Sequence, residues 1–348
     1  TAVLTPSARD IIRQRGISIN RRSESTSTTT TGNRWNAIVV KSTPQLENAL
    51  PEAMKTDGML SGRKLVGSND EAAQTAINDI CRAEAGGVAS GATAETRLVP
   101  DRVRALALAQ PEAVALEAGA AAWTRADLHD RACRVGAHLL ASGVQPGDRV
   151  VVAAHRSLEM VAAMYGIWAV GATYVPLDLA NQSERSRGVI EQSDAALVLS
   201  DDEALDAPVP VVLLSAAVGH RGAHEDWAPP RAGASAYIVF TSGSTGEPKG
   251  VEISHGALAA FVDNAAERYG TRSTDVVLQF HSLAFDASVE ELHMSLALGA
   301  TVVLRPPDLL GSARRLIELV ETHSITVVAV PTAFWHELVT QMQGSNLQ

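Results

Sequence analysis

The densest run of chemistry-bearing residues in this 348-residue sequence is Tyr237 to Gly250, Y-I-V-F-T-S-G-S-T-G-E-P-K-G. An apolar, β-branched run leads into a loop of Gly, Ser and Thr. The glycines permit positive φ and let a ligand approach the backbone closely. The hydroxyls of Thr241, Ser242, Ser244 and Thr245, with the N–H groups around Gly243 and Gly246, can donate to phosphate oxygens, and Lys249 adds a positive charge. Pro248 stiffens the exit. The spacing is not that of a P-loop, because the fifth residue after Gly243 is Pro248 and Gly250 follows Lys249. Composition alone leaves two readings open: a surface turn, as Ser/Thr/Gly clusters commonly are, or a cradle for a triphosphate.

A second constellation is Gln279 to Leu292, Q-F-H-S-L-A-F-D-A-S-V-E-E-L. A strand runs through a loop into a helix. Ser288 and Glu291 have capping-box spacing, which predicts structural roles for both. Asp286 lies just before the helix start, where the helix dipole favours an acid. Glu290, four residues on, can share a helix face with it. His255 and His281 are further candidates, and both are read as structural.

These residues need a scaffold. Ala113–Leu116, Arg149–Ala153, Ala195–Leu199, Ala236–Phe240, Val276–Phe280, Thr301–Leu304 and Thr326–Val330 have the length and composition of buried strands. Helical patterns cover Thr124–Ser142, Leu158–Val170, Gly256–Arg268, Val289–Leu298, Ala313–Thr322 and Ala333–Gln341. Thr124 is the expected N-cap of the first of these, with Asp127 at its third position and Gly143 ending it. Repeated strand, crossover helix, strand predicts an α/β fold of mostly parallel sheets flanked by helices, with ligands beyond the carboxyl ends of the strands. Met160–Leu177 is the longest uncharged run, but Gly166, Gly171 and Pro176 make it a buried helix, a turn and a strand, so no membrane segment is expected.

The bulk numbers narrow the class. A net charge of −10 argues against a general nucleic-acid binder, which needs clustered cations. The two cysteines, Cys81 and Cys133, form no metal spacing and read as free thiols in a reducing, cytoplasmic setting. No metal site is predicted. Residues 1–97 read as a linker or poorly ordered upstream segment: Ser23–Thr31 is a Ser/Thr tract, Gly86–Ala94 is rich in Gly, Ala and Ser, and Asp10–Ile19 and Glu71–Arg82 are at most short helices. The second region is 98–348. A first residue of Thr1 suggests a piece of a longer polypeptide.

T-S-G-S-T-G-E-P-K-G resembles the signature loop of the adenylate-forming superfamily. W-A-V-G-A-T-Y-V-P-L-D (Trp168–Asp178) and F-D-A-S (Phe285–Ser288) are similar to segments of its amino-acid-activating branch, and W-T-R-A-D-L (Trp123–Leu128) to its opening helix. The sequence is thus identified as the N-terminal portion of an adenylation domain of a nonribosomal peptide synthetase. The resemblance implies the layered large subdomain of that fold, ending before the C-terminal subdomain. It implies ATP with Mg2+ as co-substrate, an amino acid as substrate, and the pantetheine thiol of a peptidyl carrier domain as acceptor, with other synthetase domains as partners. Thr241, Ser242, Gly243, Ser244, Thr245, Gly246 and Lys249 would hold the phosphates, with Thr241 and Lys249 serving catalysis. Asp286 would pair with the substrate's α-ammonium, and Ala287, Glu290 and Ala329 would line the pocket. A second carboxylate at Glu290 would suit a basic side chain, or else it is solvated or serves the helix end. The segment Trp168–Asp178 would identify the family through packing alone. The family's Tyr-Gly-Pro-Thr-Glu segment, its ribose-binding acid and its adenylation lysine do not occur before Gln348, so little turnover is expected of these residues alone. Two alternatives stand beside this reading. One is a carboxylate–CoA ligase of the same superfamily, against which Asp286 and Pro176-Leu177-Asp178 speak. The other is a truncated, non-catalytic relic.

Overall fold

The computed structural model describes residues 37–40, 64–67, 97–179, 184–224, 227–228, 230–242, 248–310, 312–331, 334, 337–338 and 341. In chain order the first elements are β1 (Ala37–Val40), β2 (Lys64–Gly67), α1 (Val99–Ala109), β3 (Val114–Ala118), β4 (Ala121–Thr124) and α2 (Arg125–Ala141). Then come β5 (Arg149–Ala153), α3 (Leu158–Ala169), β6 (Thr173–Leu177), α4 (Glu184–Ser193), β7 (Leu197–Ser200), β8 (Val211–Leu213) and α5 (Leu214–Val218). The last are β9 (Ser235–Ser242), β10 (Pro248–Ser254), α6 (His255–Tyr269), β11 (Val276–Gln279), α7 (Ala287–Val289), a π-helical turn (Glu290–Met294), α8 (Ser295–Leu298), β12 (Thr301–Leu304), α9 (Ala313–Thr322) and β13 (Val327–Val330). Among the described residues no helix is long and apolar enough to cross a membrane.

The chain divides into two compact units. One comprises 1–95, 275–278 and 307–348. In it β2, β1, β13 and β11 pair in parallel in that order. Two strands therefore lie within residues 1–97, and β1 aligns Val39 with Ala329. The tracts 10–19, 23–31, 71–82 and 86–94, with Cys81, lie outside the described residues. Thr326 Oγ1 donates to Asp275 Oδ1 at 2.9 Å and accepts from Val276 N at 3.0 Å, joining the starts of β11 and β13.

The other unit comprises 96–274 and 279–306. Its larger sheet has six strands in the order β10-β9-β6-β5-β7-β8, all pairs parallel except the β9–β10 hairpin. A smaller set joins β12 in parallel to β3 and β3 antiparallel to β4. The expected capping box opens α2: Asp127 N donates to Thr124 Oγ1 at 3.1 Å, and Thr124 N to Asp127 Oδ2 at 2.9 Å. That closure satisfies two of the amides a helix start leaves open.

Helix α3 is buried along its whole length except Glu159, because it lies between α2 and the large sheet. Gly166 sets how closely α2 and α3 approach. A Cβ there would stand 2.6 Å from Val135 Cβ and 2.7 Å from the Ala132 carbonyl oxygen. Overpacking of this kind costs about 1–3 kcal/mol, and alanine's helix preference over glycine offsets about 1 kcal/mol of it. Gly166→Ala is therefore expected to lower stability by about 1 kcal/mol in urea denaturation, since a backbone carbonyl cannot turn aside as a side chain can. An unchanged midpoint would show that the helices part freely.

Candidate functional site

The carboxyl ends of β5, β6, β7 and β9 lie at one edge of the six-stranded sheet, because these strands are parallel. Polar residues that follow four of its strands converge there. Arg156 follows β5, Asp178 follows β6, Asp201 follows β7, and β9 ends at Thr241 and Ser242. Tyr174 of β6 is level with Tyr237 of β9, so counting four residues on along each strand reaches Asp178 and Thr241. The chain returns as β10, antiparallel to β9, with Pro248 opposite Ser242 and Lys249 opposite Thr241. Lys249 is exposed. Gly243, Ser244, Thr245 and Gly246 lie outside the described residues, as do the side chains of Thr241 and Ser242. Gly250 keeps the hairpin flat against its partner: a Cβ there would stand 3.0 Å from Ile238 Cγ2 and 3.1 Å from the Phe240 ring.

Beneath β9 and β6 lies a buried aromatic cluster. Trp168 donates from Nε1 to the Ala236 carbonyl at 2.7 Å. Tyr174 and Tyr237 stack at 5.6 Å. His293, from the π turn, sits between two phenols, with Tyr174 Oη 2.7 Å from Nε2 and Tyr165 Oη 3.2 Å from Nδ1. Burial, and next the neighbouring His255, hold its pKa down at about 3. A neutral imidazole has one donor and one acceptor nitrogen, so one phenol accepts from it and the other donates to it. Burial raises the pKa of Tyr165 and Tyr174, so both phenols stay protonated. His255 is also buried, packs edge-on to Trp168 and is held at about pKa 4 by desolvation. It serves packing, as read from the sequence. Trp168 and Tyr174 likewise do the packing expected of the segment that contains them.

Asp286 is exposed at the start of α7, and its Oδ1 accepts from Ala287 N at 2.8 Å. It is close enough for its charge to raise the pKa of Tyr237, after the larger effect of burial. The acid of the second constellation therefore neighbours the strand that delivers the first. Ala287 is buried. Glu290 is half-buried, and its carboxylate accepts from the Tyr269 hydroxyl at the end of α6; burial, then Glu290, raises that phenol's pKa. Ala329 lies in β13, in the other unit, half-buried.

The capping-box reading of Ser288 and Glu291 is corrected. The helix starts earlier, at Ala287 with Asp286 as cap, so Ser288 is already helical and its Oγ donates to the Phe285 carbonyl at 2.6 Å. Glu291 points back to the end of β11 and is 2% exposed. Its Oε2 accepts from Gln279 Nε2, Phe280 N and His281 N, each at 3.0 Å, and its Oε1 lies 2.6 Å from His281 Nδ1. Arg156 adds to this network, donating from Nε to Gln279 Oε1 at 2.5 Å and from its terminal nitrogen to the His281 carbonyl at 2.8 Å. Ser282 Oγ donates to Asp178 Oδ2 at 2.6 Å, and Arg305 Nε to the Phe280 carbonyl at 3.0 Å. Two guanidiniums and two carboxylates thus balance in a partly buried site. Burial, and next the charge of Arg305, lower the Arg156 pKa to about 10, so it remains a cation at neutral pH. A cleft of about 30 Å3, room for water-sized molecules only, lies beside Arg156, Asp178 and Leu283. Sequence reading missed Arg156, Gln279 and His293 altogether. The one available signal was polar residues inside otherwise apolar runs.

The profile of the family described as "AMP-binding enzyme" matches residues 103–348. The isonitrile lipopeptide synthase of Streptomyces coeruleorubidus is 34% identical over 318 residues, which is 86% of this chain and 21% of that protein. The N-terminal subdomain of Klebsiella oxytoca NpsA, solved in complex with 3-hydroxyanthranilyl-AMSN, is similar with a TM-score of 0.61 and 26% identity, over 67% of this chain and 59% of that one. An artificially fused NpsA-ThdA adenylation–PCP di-domain from the same organism aligns with a TM-score of 0.62 and 25% identity, over 68% and 48% of the two chains. The chain therefore spans about a fifth of the synthase and about three fifths of the solved subdomain.

Proposed function

Because this chain belongs to the AMP-binding enzyme family, we propose that it carries the phosphate-binding and amino-acid-recognising part of an adenylation domain in nonribosomal peptide synthesis. The observation that carries this reading is the 2.6 Å hydrogen bond from Ser282 to Asp178, which ties the loop that leads to Asp286 to the sheet edge where β9 ends. It brings the loop that ends in this carboxylate to the edge from which the Gly/Ser/Thr segment follows β9.

The donor set fits a triphosphate: hydroxyls and amides at the end of β9, faced by the Lys249 cation across the hairpin. In the reaction proposed, a substrate carboxylate oxygen attacks the α-phosphorus of ATP. The bond to the β-phosphate oxygen breaks, and pyrophosphate leaves. The thiolate of a carrier's pantetheine then attacks the acyl carbon, and AMP leaves with the former carboxylate oxygen. No protein nucleophile is required. Thr241, Ser242, the loop 243–246 and Lys249 stabilise charge on the phosphates, and positioning supplies the rest. Mg2+ bound with the nucleotide would neutralise part of that charge. Asp286 pairs with the α-ammonium, which needs a carboxylate once it leaves water. A carboxylate–CoA ligase has no ammonium to bind, so Asp286 favours the amino-acid branch.

Hydroxylamine trapping tests the reading. With ATP, the full-length protein that carries these residues should form hydroxamates from amino acids; hydroxamates from fatty or other non-amino acids alone would move it to the ligase branch. The side-chain preference is tested at Glu290. Glu290→Gln keeps an oxygen for the Tyr269 hydroxyl and removes the charge. If Glu290 selects basic side chains, the preference for lysine or ornithine over leucine should fall about tenfold, the worth of about 1.4 kcal/mol. Unchanged selectivity would end that role.

A further inference from the structure

We infer that Glu291 is a positioning residue for substrate recognition, fixing Asp286 at the ammonium site by clamping the loop between β11 and α7; this rests on the function proposed above. The loop is bonded at nearly every step. Glu291 holds Gln279, Phe280 and His281 through four hydrogen-bonding contacts. Arg156 takes the His281 carbonyl, and Asp178 takes Ser282 Oγ. Phe285 N then donates to the Ser282 carbonyl at 3.0 Å, and Val289 N to the Asp286 carbonyl at 2.9 Å. The side chains of Phe285 and Asp286 face out: Phe285 is 61% exposed and Asp286, whose Oδ1 accepts from Ala287 N, is exposed beside it. Glu291 thus ties the helix, five residues after Asp286, to the strand end seven residues before it. With both flanks fixed, Asp286 is held in one place without itself being buried. A buried carboxylate satisfied by backbone amides is a rigid anchor, because releasing it would strand several donors.

The anchor also reaches the phosphate side of the site. Asp178 and Arg156 stand at the same sheet edge as the end of β9. Glu291, Gln279 and Arg156 therefore set the acid relative to the sheet that carries the phosphate loop, and not merely within its own helix.

The test is Glu291→Gln in the full-length protein that carries these residues, read by ATP–pyrophosphate exchange. The amide keeps one oxygen for the Phe280 and His281 amides and presents an NH2 to His281 Nδ1, which can accept it as the other tautomer. The shape survives and the clamp loosens. The KM for the amino acid should rise at least tenfold, the KM for ATP should stay within twofold, and the preference for the amino acid over its des-amino counterpart should fall. A folded variant with both KM values unchanged, or both raised alike, overturns the positioning role. Should Glu291→Gln fail to fold, His281→Ala loosens the same clamp from the other side. It should raise the amino-acid KM about threefold, and an unchanged value contradicts the proposal. A wild-type protein that does not prefer the amino acid over the des-amino acid overturns the ammonium reading itself, and this inference with it.

Discussion

Asp286→Asn is expected to lower amino-acid-dependent pyrophosphate exchange about a hundredfold while leaving the fold unchanged. The two roles of Asp286 separate in this variant. As a cap, its Oδ1 accepts from Ala287 N, and asparagine caps as well as aspartate does, so stability should change by less than about 0.5 kcal/mol. As the partner of an ammonium its charge is essential. Asp286 is exposed until a substrate covers it; in the covered complex, removing one member of a desolvated, hydrogen-bonded charge pair costs about 2–5 kcal/mol, and about 3 kcal/mol corresponds to a factor of about a hundred in rate. Asp286→Ala should lose the cap as well, at about 1 kcal/mol. Thermal denaturation and exchange assays on both variants separate the terms. If Asp286→Asn retains wild-type exchange, Asp286 is a cap and nothing more.

The second large effect is on acid stability. His293 and His255 are both buried, with pKa values held at about 3 and about 4. An unfolded chain would protonate both near pH 6.5. Between these values the unfolded state binds more protons, so stability falls as pH is lowered through 6.5 and continues to fall until the folded values are reached. At pH 4.5 each histidine lies about two units below its unfolded pKa, a loss of about 2–3 kcal/mol apiece. Urea denaturation from pH 7.5 to 4.5 should show this slope. His293→Gln, which keeps a donor and an acceptor for Tyr165 and Tyr174, should remove about half of it. A slope unaltered in that variant would mean that other groups carry the acid sensitivity.

The sequence was most readable where structure is local. The α2 capping box is written in Thr124 and Asp127, three residues apart, and no distant contact was needed to form it. Four strands of the six-stranded sheet, β5, β6, β7 and β9, were legible because burial on both faces demands continuous apolar runs, as in β5 and β7; β8, three residues long, and the polar β10 were not. The phosphate hairpin and Asp286 were legible as residues, whereas the Ser282–Asp178 hydrogen bond that ties the Asp286 loop to the edge where β9 ends spans 104 residues and was not. What could not be read depends on partners far along the chain. Glu291 matched a capping box with Ser288, yet its hydrogen bonds go to residues 279–281 across a loop. His293 looked like one more position in an apolar helix, while its partners Tyr165 and Tyr174 lie 128 and 119 residues away. Strands β1 and β2 are four-residue runs among polar sequence, and only their pairing with each other and with β13 makes them strands.

Under the proposed function, Asp286 makes this an amino-acid site beside a phosphate loop. Its most direct test is ATP–pyrophosphate exchange by the full-length protein that carries these residues, across basic, apolar and acidic amino acids, each paired with its des-amino acid, together with fatty acids. Exchange should be stimulated by one class of amino acids and be at least tenfold weaker with the des-amino partners. Equal stimulation by acids that lack the α-amino group, or exchange with fatty acids alone, would contradict it.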